Sequence, residues 1–259
     1  MGTLALIVVG VFALLIVFPY VLLPIVVHQT LKFRVPAEVM RVDPQQANLP
    51  ADVRHFMAQH YEQLTSLGFE MGDVLYFPVI VANPRTLVAC YVHRASGDGA
   101  ISAFVLGESE LTSLRKHHVE FMRGTADGKI VQTNNSDDLS SFPSREGEYT
   151  TQFFGLQDLR QLHAYHLYTA NKYLGTTPGR LRVLTEFQGN YPAYFSQVVF
   201  GEVLRRQFTT GYLRDCGAEI RPTLKGAFLM AWKELFPWKT IRKAARRKAA
   251  EAIKRECPS

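Results

Sequence analysis

The sequence predicts an α+β fold with an N-terminal transmembrane helix, an antiparallel sheet of about five strands covered by helices, and a helical C-terminal extension with a small hairpin. Three observations predict it. Residues 3–27 carry no charge. Five short runs rich in β-branched and aromatic residues follow one another between residues 73 and 134. Amphipathic helical patterns lie on both sides of these runs.

The uncharged segment TLALIVVGVFALLIVFPYVLLPIVV has the length of a membrane span. Its 25 residues exceed the roughly 20 that cross a hydrocarbon core about 30 Å thick. We expect Pro19 and Pro24 to kink its second half, which membrane helices tolerate. A cleaved signal peptide would need a basic start, a shorter apolar run and a small-residue cleavage site. The sequence therefore favours a retained anchor.

The flanking charges indicate the orientation of this anchor. Lys32, Arg34 and Arg41 follow it, whereas no Lys or Arg precedes it. By the positive-inside rule we expect the N-terminus outside and the domain in the cytoplasm, with the lipid bilayer as a partner. Three cysteines without Cys-x-x-Cys spacing predict free thiols, in keeping with a reducing compartment: Cys90, Cys216 and Cys257.

The chain divides into five parts by composition and period. Residues 1–30 form the anchor and residues 31–50 a proline-containing juxtamembrane linker. Residues 51–190 are the predicted α+β domain, 191–238 a helical and hairpin extension, and 239–259 a basic helical tail.

Within the α+β domain, local patterns predict helix, three strands, two strands, helix. Apolar residues recur at helical spacing in 51–67 and 156–173. Asp-Gly turns at 96–99 and 125–128 separate strand-like runs. The five predicted strands are 73–82, 86–94, 100–107, 117–124 and 129–134.

In the extension we expect a helix at 194–207, a hairpin at 211–223 and a helix at 224–236. The phrase Gly211-Tyr212-Leu213-Arg214, followed by Arg221-x-Thr223-x-Lys225-Gly226, resembles the wing and following helix of winged-helix DNA-binding domains. The resemblance implies a membrane-tethered regulator. The preceding stretch, however, lacks two short helices joined by a tight turn, so we expect no nucleic acid as partner.

The basic tail holds the whole net charge. Residues 1–238 contain 21 Lys or Arg and 21 Asp or Glu, whereas residues 239–259 contain 8 and 2. Such a helix behind two tryptophans predicts contact with anionic lipid headgroups; the alternative is a solvated helix. The predicted membrane-surface residues are Trp232, Trp238, Lys239, Arg242, Lys243, Arg246, Arg247 and Lys248.

No motif for a known catalytic centre is present. The sequence contains no G-x-S-x-G, Walker loop, G-x-G-x-x-G or H-E-x-x-H, and we expect no cofactor. The candidate metal ligands or acid–base groups are His117, His118, Glu120, His163 and His166. We therefore predict a membrane-anchored cytoplasmic module that binds at the membrane surface, with an unidentified protein partner. The alternative is a membrane-associated hydrolase or metalloenzyme that uses these histidines.

Overall fold

The computed structural model describes residues 2–32, 39–44, 49–77, 86–106, 116–217 and 219–257. These residues form a seven-stranded, mostly antiparallel sheet with helices on both faces, and a separate two-stranded hairpin. The predicted α+β class is confirmed.

The helices and strands have the following bounds. The large sheet contains β1 (Met40–Arg41), β2 (Glu70–Phe77), β3 (Thr86–His93), β4 (Asp98–Val105), β5 (Lys116–Gly124), β6 (Ile130–Asn134) and β7 (Glu148–Gln152). The hairpin contains β8 (Leu213–Asp215) and β9 (Ile220–Pro222). The α-helices are α1 (Gly2–Val17), α2 (Leu23–Thr30), α3 (Ala51–Ser66), α4 (Leu159–Leu174), α5 (Arg182–Thr185), α6 (Tyr191–Tyr194), α7 (Gly201–Thr209), α8 (Leu224–Trp232) and α9 (Trp238–Glu256).

The apolar N-terminal segment is divided into three. A π-helical segment, Phe18–Leu22, connects α1 to α2, and the residues on both sides of it have right-handed helical backbone angles. Within the described ranges, no helix combines the length and the apolar character needed to cross a bilayer. The sequence predicts one helix with a kink at its prolines; the structure has π-helical hydrogen bonding at this place, because prolines lack the N–H of the i→i−4 ladder.

A tryptophan from the C-terminal part donates a hydrogen bond to the backbone carbonyl that loses its helical donor because of Pro24. In an α-helix the carbonyl of Tyr20 would accept from residue 24, which here has no N–H. Trp232 Nε1 on α8 donates to this carbonyl at 2.9 Å. Helix α2 packs along α8, and His28 Nδ1 lies 2.9 Å from the carbonyl of Pro222. The second half of the apolar segment is thus part of the folded domain.

Strands β1 to β7 lie side by side in chain order. All neighbours are antiparallel except β6 and β7, which are parallel. The five predicted strands are confirmed as β2 to β6, although residues 78–82 and 107 lie outside the described residues. The predicted number of about five strands was wrong, since the large sheet has seven. Strand β1 has only two residues and lies in the expected linker. Strand β7, with the sequence EYTTQ, has no alternation of apolar and polar residues.

The sheet buries side chains on both faces. On the first face, α3, α4 and α9 cover a core that includes Phe104, Val119 and Phe121. On the second face, α5, α6 and a second π-helical segment, Phe195–Phe200, cover a smaller core that includes Cys90. A third cluster joins α7, the hairpin, α8 and the residue after α2, Leu31.

Candidate functional site

The histidine pair on α4 is enclosed in the first core. His166 is fully buried and its Nδ1 lies 3.2 Å from the hydroxyl of Thr133. Burial lowers the pKa of His163 to about 4 and also lowers the pKa of His166, although the carboxylate of Asp98 opposes the second shift. Both side chains are therefore neutral imidazoles held between the helix and the sheet.

A buried ion pair accompanies these histidines. Arg123 donates to Asp98 through Nε at 2.5 Å and through Nη2 at 2.7 Å, and the hydroxyl of Ser96 donates to the same carboxylate at 2.7 Å. Burial alone would raise the pKa of Asp98, but the bonds from Arg123 and the nearby His166 hold it well below its usual range. The sequence placed Asp98 in a turn; it instead begins β4, because its charge is satisfied by a partner on β5.

The other pair is split by the alternation of β5. His117 faces the first core, where its ring stacks on Phe56 at 4.0 Å between centroids and lies 5.3 Å from that of His60. His118 and Glu120 point to the second face, opposite Ala103 and Ile101 of β4. Burial lowers the pKa of both His117 and His118.

The structure therefore does not bring the four candidate histidines together. His117 and His118 lie on opposite faces of the sheet. His163 packs against Phe121. Phe121 is four residues further along β5 than His117, which is a distance of roughly 13 Å. Among the described residues, no three His, Cys, Asp or Glu side chains are grouped so that they could hold a metal ion.

A cleft of about 640 Å³ lies on the second face of the sheet. We call it the sheet–helix cleft. Strands β3 to β7 form its floor, and α5, α6, the π-helical segment Phe195–Phe200 and α7 form its roof. The floor crosses four strand spacings of ~4.8 Å, so the cleft is about 19 Å long. This volume is typical of a small-molecule site.

Residues far apart in sequence meet in this floor because of the strand register. Cys90, Ile101, Glu120 and Asn134 are successive cross-strand partners from β3 to β6. Cys90 is 2% exposed and burial raises the pKa of its thiol, so it packs in the floor as a small apolar side chain. Glycine at position 99, in the next row, accommodates the side chain of Met122, whose Cγ would lie 3.3 Å from a Cβ there, as glycines in strands do where another group approaches closely.

Glu120 is the acidic group in the apolar part of the floor. Its carboxylate accepts a hydrogen bond of 3.3 Å from Asn134 Nδ2. Burial raises its pKa to about 7, and the bond from Asn134 opposes this only in part. The sequence marked Glu120 only as a companion of His118; its position among apolar side chains is what changes its chemistry.

The roof is irregular where it covers the apolar part of the floor. Phe195, Val198 and Val199 of the π-helical segment line the cleft. Single π-helical turns insert an extra residue in a helix and occur frequently at functional sites. Helix α7 continues this roof and presents Val203 and Arg206 to the cleft.

Charges collect at the end of the cleft next to the β5–β6 turn. Arg145 Nη2 donates to the carbonyl of Gly128 at 3.0 Å, and the backbone N–H of Arg180 donates to the carbonyl of Gly124 at 2.7 Å. Arg206 Nη1 donates to Glu148 at 2.7 Å. Among the described residues, the lining includes five arginines and three glutamates, and a fourth glutamate beside it, Glu186, pairs with Arg180 and Arg182. The net charge of this set is positive.

The basic C-terminal helix is docked on the domain. Ala250 and Ile253 of α9 are buried in the first core. Arg242 and Arg246 donate to backbone carbonyls of the domain at 2.9 Å and 2.7 Å, and Lys243 and Arg247 both lie over one aromatic ring, at 5.4 Å and 5.8 Å from its centroid. Four of the six predicted headgroup cations therefore contact the domain through these hydrogen bonds and this ring.

The two tryptophans lie together beside the N-terminal segment. Trp238 stacks on Trp232 at 6.5 Å between centroids, and Trp232 is bonded to Tyr20. Trp238 is 46% exposed. Of the remaining predicted cations, Lys239 pairs with a nearby glutamate at 2.9 Å and Lys248 is exposed.

The winged-helix-like hairpin also packs on the N-terminal segment. Glu219, the residue before β9, pairs with Lys32 at 3.3 Å, and Arg221 pairs with Glu219 at 2.7 Å. A continuous run of helix, Tyr191 to Thr209, precedes the hairpin.

Comparisons with protein families, with curated proteins and with solved structures found no match for this chain.

Proposed function

We propose that this chain is a membrane-anchored module that acts by binding, with its α+β domain on the cytoplasmic side of the bilayer. The exposed apolar surface of α1 carries the proposal. Its described side chains are all exposed, including Leu6 at 74% and Leu14 at 63%. Exposed apolar surface of this extent is costly in water and favourable in lipid.

The length of the protruding segment supports this role. The domain meets the N-terminal segment at Tyr20, through Trp232. The 19 residues from Gly2 to Tyr20 rise about 28 Å at 1.5 Å per residue, close to the thickness of the hydrocarbon core of a bilayer. Helical backbone continues through Val17 into the π-helical segment. On this proposal the lipid boundary lies near Tyr20.

The aromatic side chains at that level support the same boundary. Trp238, Phe236 and Ile241 are 46%, 74% and 53% exposed, and Trp238 is connected to Tyr20 through the stacked Trp232. Tryptophans concentrate at membrane interfaces because one part of the ring is apolar and the N–H is polar. We propose that the beginning of α9, rather than its whole length, contacts the headgroups.

Alkaline carbonate extraction of membranes that contain the full chain tests the anchor. We expect the double variant I7E/L14E to move into the supernatant, because each charge costs about 2.5–3.5 kcal/mol at the centre of a bilayer. The matched control is M71E/L224E, which places the same charges at exposed apolar positions of the domain. Retention of I7E/L14E in the membrane would contradict the proposal.

Labelling of Cys216 tests the orientation. Cys216 is the exposed thiol of the β8–β9 hairpin, whereas Cys90 is buried. In a C257S background we expect a membrane-impermeant maleimide to label Cys216 in inverted vesicles but not in intact cells. Labelling in intact cells would place the domain outside.

Quenching by brominated lipids tests the interfacial boundary. The chain contains two tryptophans, so the W232F variant of the full chain in vesicles reports on Trp238 alone. We expect lipids brominated near the headgroup to quench its fluorescence more strongly than lipids brominated at the chain end. No quenching by either lipid would show that Trp238 does not reach the membrane.

A further inference from the structure

We infer that the sheet–helix cleft binds a single acyl chain that carries an anionic headgroup. The inference deepens the proposed binding role by naming a ligand class, and it does not depend on the anchor. Three features of the cleft support it: its shape, its apolar interior and the position of its cations.

The shape favours one extended chain. The floor runs for about 19 Å across β3 to β7, and the volume is about 640 Å³. Gly99 allows the side chain of Met122 to lie across the floor, since a Cβ at position 99 would stand 3.3 Å from Met122 Cγ. Ile101 and Met122 on the floor face Val198 and Val199 in the roof. A long, mostly apolar cleft of this volume suits an extended acyl chain better than a compact polar molecule.

The charges distinguish the two ends of the cleft. Arg145, Arg180 and Arg206 surround the end at the β5–β6 turn. Glu148 pairs with Arg145 and Arg206, and Glu186 pairs with Arg180, so two carboxylates face three guanidinium groups and one positive charge is left over. The Nε of Arg206 is buried without a hydrogen-bond partner among the described residues. Guanidinium groups bind carboxylate and phosphate oxygens through paired N–H donors. The headgroup of the ligand is therefore placed at this end, and its chain extends over Ile101 toward Cys90.

The carboxyl group of Glu120 in the floor of the cleft restricts the ligand further. Glu120 lies in the apolar part of the cleft, away from the arginines of the turn end. An apolar chain can cover a neutral carboxylic acid that keeps its hydrogen bond to Asn134, whereas a second polar group on the ligand would have to be desolvated beside it. The ligand thus has a polar group at one end only.

Photo-crosslinking in lipid nanodiscs tests the location. The probe is a diazirine-labelled palmitate, and mass spectrometry of the full chain maps its adducts. We expect adducts on residues of the sheet–helix cleft, with a loss of at least half of them in V198W, which fills the cleft. The matched control is L224W, at an exposed position outside the cleft. Adducts confined to α1 would show that the probe only partitions into the membrane, and this would overturn the inference. The result of the carbonate extraction, which tests the anchor, does not depend on this outcome.

Competition for the same adducts tests the headgroup. We expect palmitate and lysophosphatidic acid to compete, and the one that competes at lower concentration identifies the carboxylate or the phosphate as the preferred headgroup. Hexadecanol and hexadecyltrimethylammonium should compete weakly. R180Q should weaken palmitate competition roughly fivefold, with R160Q, an exposed arginine of α4, as the matched control. Equal competition by the cationic amphiphile would overturn the inference.

Discussion

Replacing Glu120 with glutamine removes an ionisation that the apolar cleft disfavours. The side chain keeps its size, and its amide oxygen can still accept from Asn134 Nδ2. The folded protein raises the pKa of Glu120 from 4.5 to about 7. This difference corresponds to about 3 kcal/mol, since each pKa unit is worth about 1.4 kcal/mol.

The direction of the effect follows from proton binding. Because the pKa of Glu120 is higher in the folded state, the folded protein holds this proton more tightly than the unfolded chain. The stability that Glu120 contributes is complete below about pH 4.5 and is lost as the pH rises toward 7. Glutamine is neutral throughout. E120Q and the wild type should therefore have similar unfolding free energies at pH 4.5, and E120Q should be more stable by about 3 kcal/mol at pH 8.5.

Thermal unfolding of the full chain in detergent micelles, followed by circular dichroism, measures this difference. A change of 3 kcal/mol corresponds to about 6–12 °C in Tm for a domain of this size. The matched control is E146Q, which removes one carboxylate from an exposed loop. We expect the Tm difference between E120Q and the wild type to grow from pH 4.5 to pH 8.5. If this difference is the same at both pH values, then water hydrates the carboxylate and the floor of the cleft is not apolar.

Three further substitutions test other parts of the structure by the same measurement. R123M should lower the unfolding free energy by about 3–5 kcal/mol, because it leaves the buried carboxylate of Asp98 unpaired; the double variant with D98N should recover part of the loss. W232F should cost about 1 kcal/mol, because it removes the donor to the carbonyl of Tyr20; an unchanged Tm would show that this bond is not needed. G97A should destabilise the domain by more than about 1 kcal/mol, because Gly97 has a positive φ and a Cβ would overlap a facing backbone carbonyl, and a neutral result would disprove that close approach.

Most of the secondary structure could be predicted because it depends on local patterns. The helical spacing in residues 51–67 predicts a buried face of six residues: Val53, Phe56, Met57, His60, Tyr61 and Leu64. Four of them are buried in α3, whereas Phe56 is half-buried and Tyr61 is exposed. The Asp-Gly turn at residues 125–128 connects two strands as expected, with a positive φ at Gly128. Periodicity and turn chemistry act within a few residues, so one sequence suffices to read them.

The parallel strand could not be predicted in this way. Strand β7 pairs with β6 after an irregular connection of 13 residues, from position 135 to 147. Its residues Thr150 and Gln152 are polar and follow no strand-like alternation. Such pairing is decided by the edge that β6 offers, which is a property of the assembled sheet.

The cleft shows most clearly what a single sequence leaves out. In the sequence, the neighbours of Glu120 that suggest a site are His117 and His118. In the fold its partners are Ile101 and Asn134, which the register sets beside it from 19 residues before and 14 residues after. A carboxylate is ordinary on an exposed strand and unusual under an apolar roof, and the sequence does not say which strands the roof covers. The raised pKa of Glu120 is therefore a property of the register, so a variant that shifts β5 by one residue would abolish it while leaving every residue of the cleft in the chain.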